Sequence, residues 1–279
     1  MILDCGETTR LGRGLERGGK LDPVSIRASI NCLKKFRSLC QRERVQEIAA
    51  VGTNALRMAK DAKQFIQQVR EACGITPCVI TEKEEALLSF LSVQQDPRMP
   101  RGAMVMDAGG GSTEYIFRTG EGPSQPLQTI SLPLGALRLT EEFLHDEPPS
   151  HDAVTKLRHK IDETLLRIPP AIEDELVGIG GTAATLGSMH LGLEAFDRER
   201  IHGLQLTIDK LRSQVEELQD KDPAMRKQIR GLPTERADII LAGAMIILST
   251  LERLKKNSIR ISCRGLRYGL FYQRFMDIE

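Results

Sequence analysis

Met104-Val105-Met106-Asp107-Ala108-Gly109-Gly110-Gly111-Ser112-Thr113-Glu114-Tyr115-Ile116-Phe117 is the stretch that decides how this chain is read. An apolar run before the glycines and a β-branched and aromatic run after them read as two strands joined by a turn. Consecutive glycines let the backbone aim its N–H groups at one point with no side chain in the way, and such a nest binds anions. Ser112 and Thr113 add hydroxyl donors, so a phosphate chain fits the set. Asp107 and Glu114 flank the nest with the hard carboxylate oxygens that Mg²⁺ takes beside bound phosphates. The same residues also fit a plain glycine hairpin. A P-loop would end in Gly-Lys-Ser/Thr and a dinucleotide fingerprint would open a helix, so neither describes this turn.

A second glycine turn, Gly178-Ile179-Gly180-Gly181-Thr182, follows the strand-like run from Glu175 and opens a helix, so free N–H groups and the helix dipole face one point. Alone it serves equally well as a steric hinge. Paired with the first turn, it suggests phosphates clamped between two α/β halves. Glu84 and Glu85 begin a helix at the carboxyl end of Cys78-Val79-Ile80, where open α/β sheets place their clefts. Either is a candidate base for water attacking a terminal phosphorus, or simply a first-turn glutamate favoured by the helix dipole. Thr53-Asn54-Ala55-Leu56-Arg57 supplies a bidentate cation for phosphate oxygens, or half of a surface salt bridge. His202, in Ile201-His202-Gly203, reads as a cleft residue or as a turn histidine.

Outward from these motifs the chain alternates strands and helices, which defines an α/β protein. Asp22-Pro23 caps a first helix through Ile26, Ile30, Leu33 and Cys40. A strand at Ile48–Gly52, a helix ending near Gly74, a strand at 78–80 and a helix from Glu82 to about Val93 follow. After the hairpin come a strand at Gln128–Leu132, a Ser150-capped helix to about Ile168, and a strand at Glu175–Ile179. Helices then run over Thr182–Leu191, Thr207–Leu218 and Thr234–Leu254, the last apolar on more than one face and therefore buried in the second domain or at an interface. A strand at Ile259–Ser262 precedes a final helix from Leu266. The Gly-, Ser- and Pro-rich segment from Arg118 to Pro126 is the expected boundary between domains 1–118 and 119–279.

With 279 residues and 41% hydrophobic side chains the chain can bury a large core, and a length prior of ~150 residues per domain gives two domains. Lys and Arg total 39 against 38 Asp and Glu, so no bulk field holds it on nucleic acid or an anionic membrane. The six cysteines form no C-x-x-C pair and mostly occupy apolar positions, the pattern of reduced core thiols in a cytoplasmic protein. The longest apolar run, Ile239–Leu248, falls short of the ~20 residues that span a bilayer.

At these residues the chain resembles the exopolyphosphatase and guanosine pentaphosphate phosphohydrolase family of the actin, sugar-kinase and Hsp70 superfold. The ordered matches run from Thr9–Leu15 through Thr53–Arg57, Glu84-Glu85-Ala86, Asp107–Glu114, Ser131–Thr140, Gly180-Gly181-Thr182, Ile201-His202-Gly203, Glu235–Asp238 with Leu241–Ala244, and Arg264-Gly265-Leu266-Arg267. The resemblance implies two actin-like (ribonuclease H-like) domains around a cleft, and release of terminal phosphate from inorganic polyphosphate or guanosine pentaphosphate with Mg²⁺. It makes Glu85 the catalytic glutamate, and Asn54 and Arg57 part of the substrate site. Gly109, Gly110, Gly111, Ser112 and Thr113 become one phosphate loop, and Gly180, Gly181 and Thr182 another. Asp107 and Glu114 become the metal-associated acids. A homodimer is implied by the same likeness. Family members open with a strand, an Asp-x-Gly-Ser/Thr-Asn-Ser/Thr loop and a second strand. This chain begins after that loop, so the expectation is an N-terminal domain lacking its first strands, with Asp4 a poor substitute. Glu82, Leu87 and Cys263 also depart from the family pattern. The alternative function is a non-catalytic binder of the same polyanions, derived from such an enzyme.

Overall fold

A computed structural model describes residues 2–7, 9–118, 126–146, 148–169 and 175–276. The chain divides into two compact units, Met1–Glu85 and Ala86–Glu279.

The first unit contains α1 (Leu15–Gly18), α2 (Pro23–Arg42), β1 (Val51–Gly52), α3 (Asn54–Met58), α4 (Ala62–Cys73), β2 (Cys78–Val79) and the start of α5 (Glu82–Gln94). The Asp22 side chain accepts from Ser25 N at 2.9 Å, which satisfies one of the free N–H groups of α2. Helix α4 stops at Gly74, which takes φ 66°. The apolar stripes of α2 and α4 close on each other over Leu21, Phe65, Val69, Cys73 and Ile75. Strands β1 and β2 are parallel, Val51 opposite Cys78 and Gly52 opposite Val79. The strand expected over Ile48–Gly52 is thus reduced to its last two residues, because β2 offers only two residues to pair with.

The second unit is built on a six-stranded sheet of order β5-β4-β3-β6-β8-β7. Its strands are β3 (Met104–Ala108), β4 (Thr113–Arg118), β5 (Leu127–Leu132), β6 (Leu176–Ile179), β7 (Gln205–Thr207) and β8 (Ser258–Ile261). Its helices are α6 (Ala136–Phe143), α7 (His151–Leu165), α8 (Gly180–His190), α9 (Arg198–Ile201), α10 (Ile208–Gln219), α11 (Pro223–Arg226), α12 (Ile240–Arg253) and α13 (Leu266–Phe275). Strands β3, β6 and β8 run parallel, and the outer strands are antiparallel to their neighbours. One face, with Met104, Met106 and Tyr115, meets the large core around α12, in which every residue from Ile240 to Leu251 is buried. The opposite face, with Val105, Ile116, Val177 and Ile179, packs on Ala86, Phe90 and Val93 of α5.

Two expectations need correction. The helix expected from Thr234 starts at Ile240, because Arg236 N and Ala237 N bond three residues back, to Pro233 O and Thr234 O, in a tight 3₁₀ turn. The hairpin 107–114, assigned from sequence to a first domain ending at residue 118, belongs to the second unit. Residues 119–125 of the expected boundary lie outside the described residues, but β4 and β5 on either side pair from Thr113–Leu132 to Arg118–Leu127, so one sheet continues across it. Both glycine turns therefore rise from one sheet. The six cysteines are free; Cys32 and Cys73 are core thiols, whereas Cys5 and Cys78 are exposed. Among the described residues no helix is long and apolar enough to cross a membrane.

Candidate functional site

The three parallel strands end on the same edge of the sheet, at Ala108, Ile179 and Ile261, and both glycine turns leave from it. Asp107 and Glu114 are directly opposed across the β3–β4 hairpin, and Ser131 of β5 is opposed to Glu114. Opposed residues share a face at about 4.5–5.5 Å between Cα atoms, so the two carboxylates stand side by side. Glu114 is oriented by two hydroxyls: Oε1 accepts from Ser112 Oγ at 2.6 Å and from Ser131 Oγ at 3.0 Å. Both acids are half-buried, and Gly110 and Gly111 between them are exposed.

The nest owes its orientation to α6, a helix that the sequence reading missed. Its first N–H groups are capped by the loop itself: Ala136 N donates to Gly109 O at 2.9 Å, and Leu137 N and Arg138 N donate to Gly110 O at 3.0 Å each. With those carbonyls turned inward, the N–H groups of Gly110, Gly111 and Ser112 make no backbone hydrogen bond among the described residues and are left for an anion. The approach requires Gly135, where a side chain would overlap the Gly110 carbonyl. One expected donor is lost, since the Thr113 hydroxyl is fully buried and donates to Leu134 O at 2.5 Å.

At the second turn the Thr182 hydroxyl is likewise consumed inside the fold, donating to Ala108 O at 2.7 Å. It ties the two turns together instead of contacting a ligand. Gly180, at φ 80°, lies against the Asp107 carboxylate, which thereby sits at the positive N-terminus of α8. Gly181 lies under the guanidinium of Arg236, and any side chain there would overlap it. Arg236 was passed over as a site residue. Burial pulls it below the usual arginine range, partly offset by Glu235, and its guanidinium holds no hydrogen bond or ion pair among the described residues. A desolvated cation with no carboxylate in hydrogen-bond reach among the described residues, beside a helix N-terminus, favours an anion there. The only sequence signal for it was its place in Glu235-Arg236-Ala237-Asp238, because the pairing with Gly181 joins residues far apart in the chain.

In the first unit the two other expected residues meet directly. Arg57 Nη1 donates to Glu85 Oε2 at 2.6 Å and to Ile80 O at 3.0 Å. The pair is partly shielded, with side chains 20% and 32% exposed. It leaves Arg57 Nε and Nη2 and Glu85 Oε1 without a partner among the described residues. Oε1 can therefore take a water while the guanidinium still has donors for a phosphate oxygen. Glu84, the other candidate, is spent on its own helix end, accepting from Thr81 N at 2.7 Å and Thr81 Oγ1 at 2.8 Å, which holds it below the usual glutamate range. Asn54 opens α3 and is exposed.

Residues 1–277 match the Ppx/GppA phosphatase family. The chain is 27% identical over 278 residues to exopolyphosphatase 1 of Mycobacterium tuberculosis, covering 98% of this chain and 79% of that protein. It is 28% identical over 265 residues to a bifunctional 3-dehydroquinate synthase/phosphatase of Fusobacterium nucleatum, covering 92% of this chain but 39% of the larger protein. Among solved structures it superposes on the Aquifex aeolicus Ppx/GppA phosphatase with a TM-score of 0.84 at 33% identity, covering 98% of this chain and 90% of that one. An exopolyphosphatase from Cytophaga hutchinsonii gives a TM-score of 0.80 at 26% identity, covering 96% and 88%.

Proposed function

This chain belongs to the Ppx/GppA phosphatase family, and from that premise we propose that it releases the terminal phosphate of inorganic polyphosphate or of guanosine pentaphosphate. The observation that carries the reading is the cradle at the sheet edge. Three consecutive N–H groups, the N-terminus of α8 and the Arg236 guanidinium surround an edge that also bears Asp107 and Glu114. Such a set recognises a chain of phosphates by charge and backbone geometry and offers nothing that reads a base or an apolar side chain.

The chemistry is hydrolysis of a phosphoanhydride. Glu85 Oε1 accepts a proton from water as its oxygen bonds to the terminal phosphorus, the bridging P–O bond breaks, and the shortened chain departs with that electron pair. Arg57 holds Oε2 in place, and its remaining donors suit phosphoryl oxygens. Within the second unit the 110–112 N–H groups and Arg236 suit the oxygens of a phosphate chain. The donor set fits Mg²⁺: among the described residues no three metal-binding side chains cluster, but Mg²⁺ commonly uses one or two carboxylates and completes its shell with phosphate oxygens and water. Asp107 and Glu114 would hold it, and its charge would neutralise that of the phosphate oxygens.

Phosphate release from long-chain polyphosphate and from guanosine pentaphosphate, with Mg²⁺, compares the wild-type chain with Glu85→Gln. The expected result is release by the wild type and a loss of about 10²–10⁴-fold in the variant, the usual worth of a general base, with polyphosphate affinity retained. A wild type that binds polyphosphate without releasing phosphate would assign the chain as a polyanion-binding protein instead.

A further inference from the structure

A third loop, Ser262–Gly265, leaves the same sheet edge from β8. Ser262 N donates to Gly178 O at 2.9 Å, which stitches the loop to the strand carrying the Gly178–Thr182 turn. The loop is held by a buried side-chain pair that the proposed reaction does not use. His202 caps the carboxyl end of α9 and Asp96 follows α5, with side chains 1% and 0% exposed. His202 Nε2 lies 2.7 Å from Asp96 Oδ2, and Arg264 Nη1 lies 3.2 Å from the same oxygen. Asp96 Oδ1 accepts from Arg98 N at 3.0 Å.

On its other side His202 Nδ1 accepts from Cys263 N at 3.2 Å. A nitrogen that accepts carries no proton, so in the neutral ring the proton is on Nε2, the nitrogen that faces Asp96 Oδ2. The loop has further ties: Arg198 Nη1 donates to Cys263 O at 3.2 Å, and Ser262 Oγ lies 3.1 Å from both Arg264 N and Arg264 O. Arg264 also reaches Tyr272 OH at 3.0 Å and stacks over the Tyr268 ring at 5.2 Å. Among these ties the imidazole bridges the buried carboxylate to a backbone N–H of the loop, beside the ion pair that Arg264 makes with the same carboxylate.

We propose that His202 is a positioning residue for the anion cradle: with Asp96 it locks the 262–265 loop against β6, and so fixes the Gly178–Thr182 turn and the Arg236 guanidinium above Gly181. The proposal rests on the polyphosphate reading for its ligand and on the structure alone for the lock. Removing the imidazole leaves the Cys263 N–H without its acceptor and takes from Asp96 the neighbour opposite Arg264, and a buried orphan N–H is relieved by movement of the loop.

The test uses His202→Phe, which removes both polar contacts, and His202→Asn, which keeps an acceptor near the Nδ1 position. Amide exchange at Cys263 reports the lock; the Kd for tripolyphosphate by calorimetry and kcat for phosphate release report the cradle. In His202→Phe, Cys263 exchange should quicken and Kd rise each by about tenfold or more, the consequence of losing one buried hydrogen bond, with kcat at saturation changed by less than about twofold. His202→Asn should recover most of both, and it serves alone if the phenylalanine variant does not melt cooperatively. Unchanged Cys263 exchange overturns the lock. Faster exchange with unchanged Kd overturns the link to the cradle. A wild-type protein that binds no tripolyphosphate overturns the ligand reading itself, an outcome the exchange measurement keeps separate.

Discussion

Gly181→Ala perturbs the cradle without removing any charge. The new methyl would overlap Cζ and both Nη atoms of Arg236. Gly181 lies in the first turn of α8 and is not among the glycines with positive φ, so alanine fits the backbone there. Helix propensity favours the change by up to about 1 kcal/mol. The obstructing group is the far end of a flexible side chain, so the guanidinium moves and the backbone stays. What is lost is a set of charge-assisted hydrogen bonds to phosphate, about 1.5–3 kcal/mol, which at ~1.4 kcal/mol per decade is a roughly 10- to 150-fold weaker Kd. Calorimetric titration with tripolyphosphate should show that loss in Gly181→Ala and in Arg236→Ala, with the melting temperature of Gly181→Ala unchanged or raised. The double variant should be no weaker than either single one, because both remove the same contact. Additive losses, or full affinity in Gly181→Ala beside weak binding in Arg236→Ala, would refute the placement of Arg236 over the turn.

Other outcomes follow from the same geometry. A methyl at Gly243 would lie 2.6 Å from Thr182 Cγ2, so Gly243→Ala should cost the ~1–3 kcal/mol typical of overpacking and lower the melting temperature by about 2–10 °C in a scanning thermal melt. Asp107→Asn should raise the Mg²⁺ concentration giving half-maximal phosphate release by about tenfold or more, and chelation should abolish release from the wild type until Mg²⁺ is restored. Stability should fall on acidification: burial holds His202 below the ordinary imidazole value, against the attraction of Asp96 and with help from Arg98 and Arg264. The unfolded chain then takes up that proton first, so the contribution is complete above about pH 6.5 and declines below it. Melting curves from pH 8 to 5 should show the decline in the wild type and a flatter profile in His202→Asn.

The helix starts were legible where the signal is local. Asp22-Pro23 caps α2 and Ser150 caps α7, because a cap needs only a side chain and an N–H three residues on. Gly74 ends α4 because only its own φ is at issue. The burial of α12 was likewise written in an apolar surface that goes round the helix. By contrast, α6 went unseen, since its start is capped by carbonyls of a distant loop and by no side chain of its own. The helix expected from Thr234 began six residues too early, because apolar periodicity does not separate a 3₁₀ turn from the helix it precedes.

By itself, then, the sequence determined an α/β chain with two glycine turns and the family to which it is similar, and it named Glu85, Arg57, Asp107 and Glu114 as candidates for the site. Tertiary structure alone decided that both turns rise from one sheet, and that Arg57 holds Glu85. It also decided that the Thr113 and Thr182 hydroxyls face inward, that Arg236 stands over Gly181, and that His202 meets Asp96. The reason is physical. A glycine's torsion or a helix cap is settled within a few residues, whereas the partner of a polar side chain is chosen by whatever the fold brings within about 3 Å, and that contact usually lies far away along the chain.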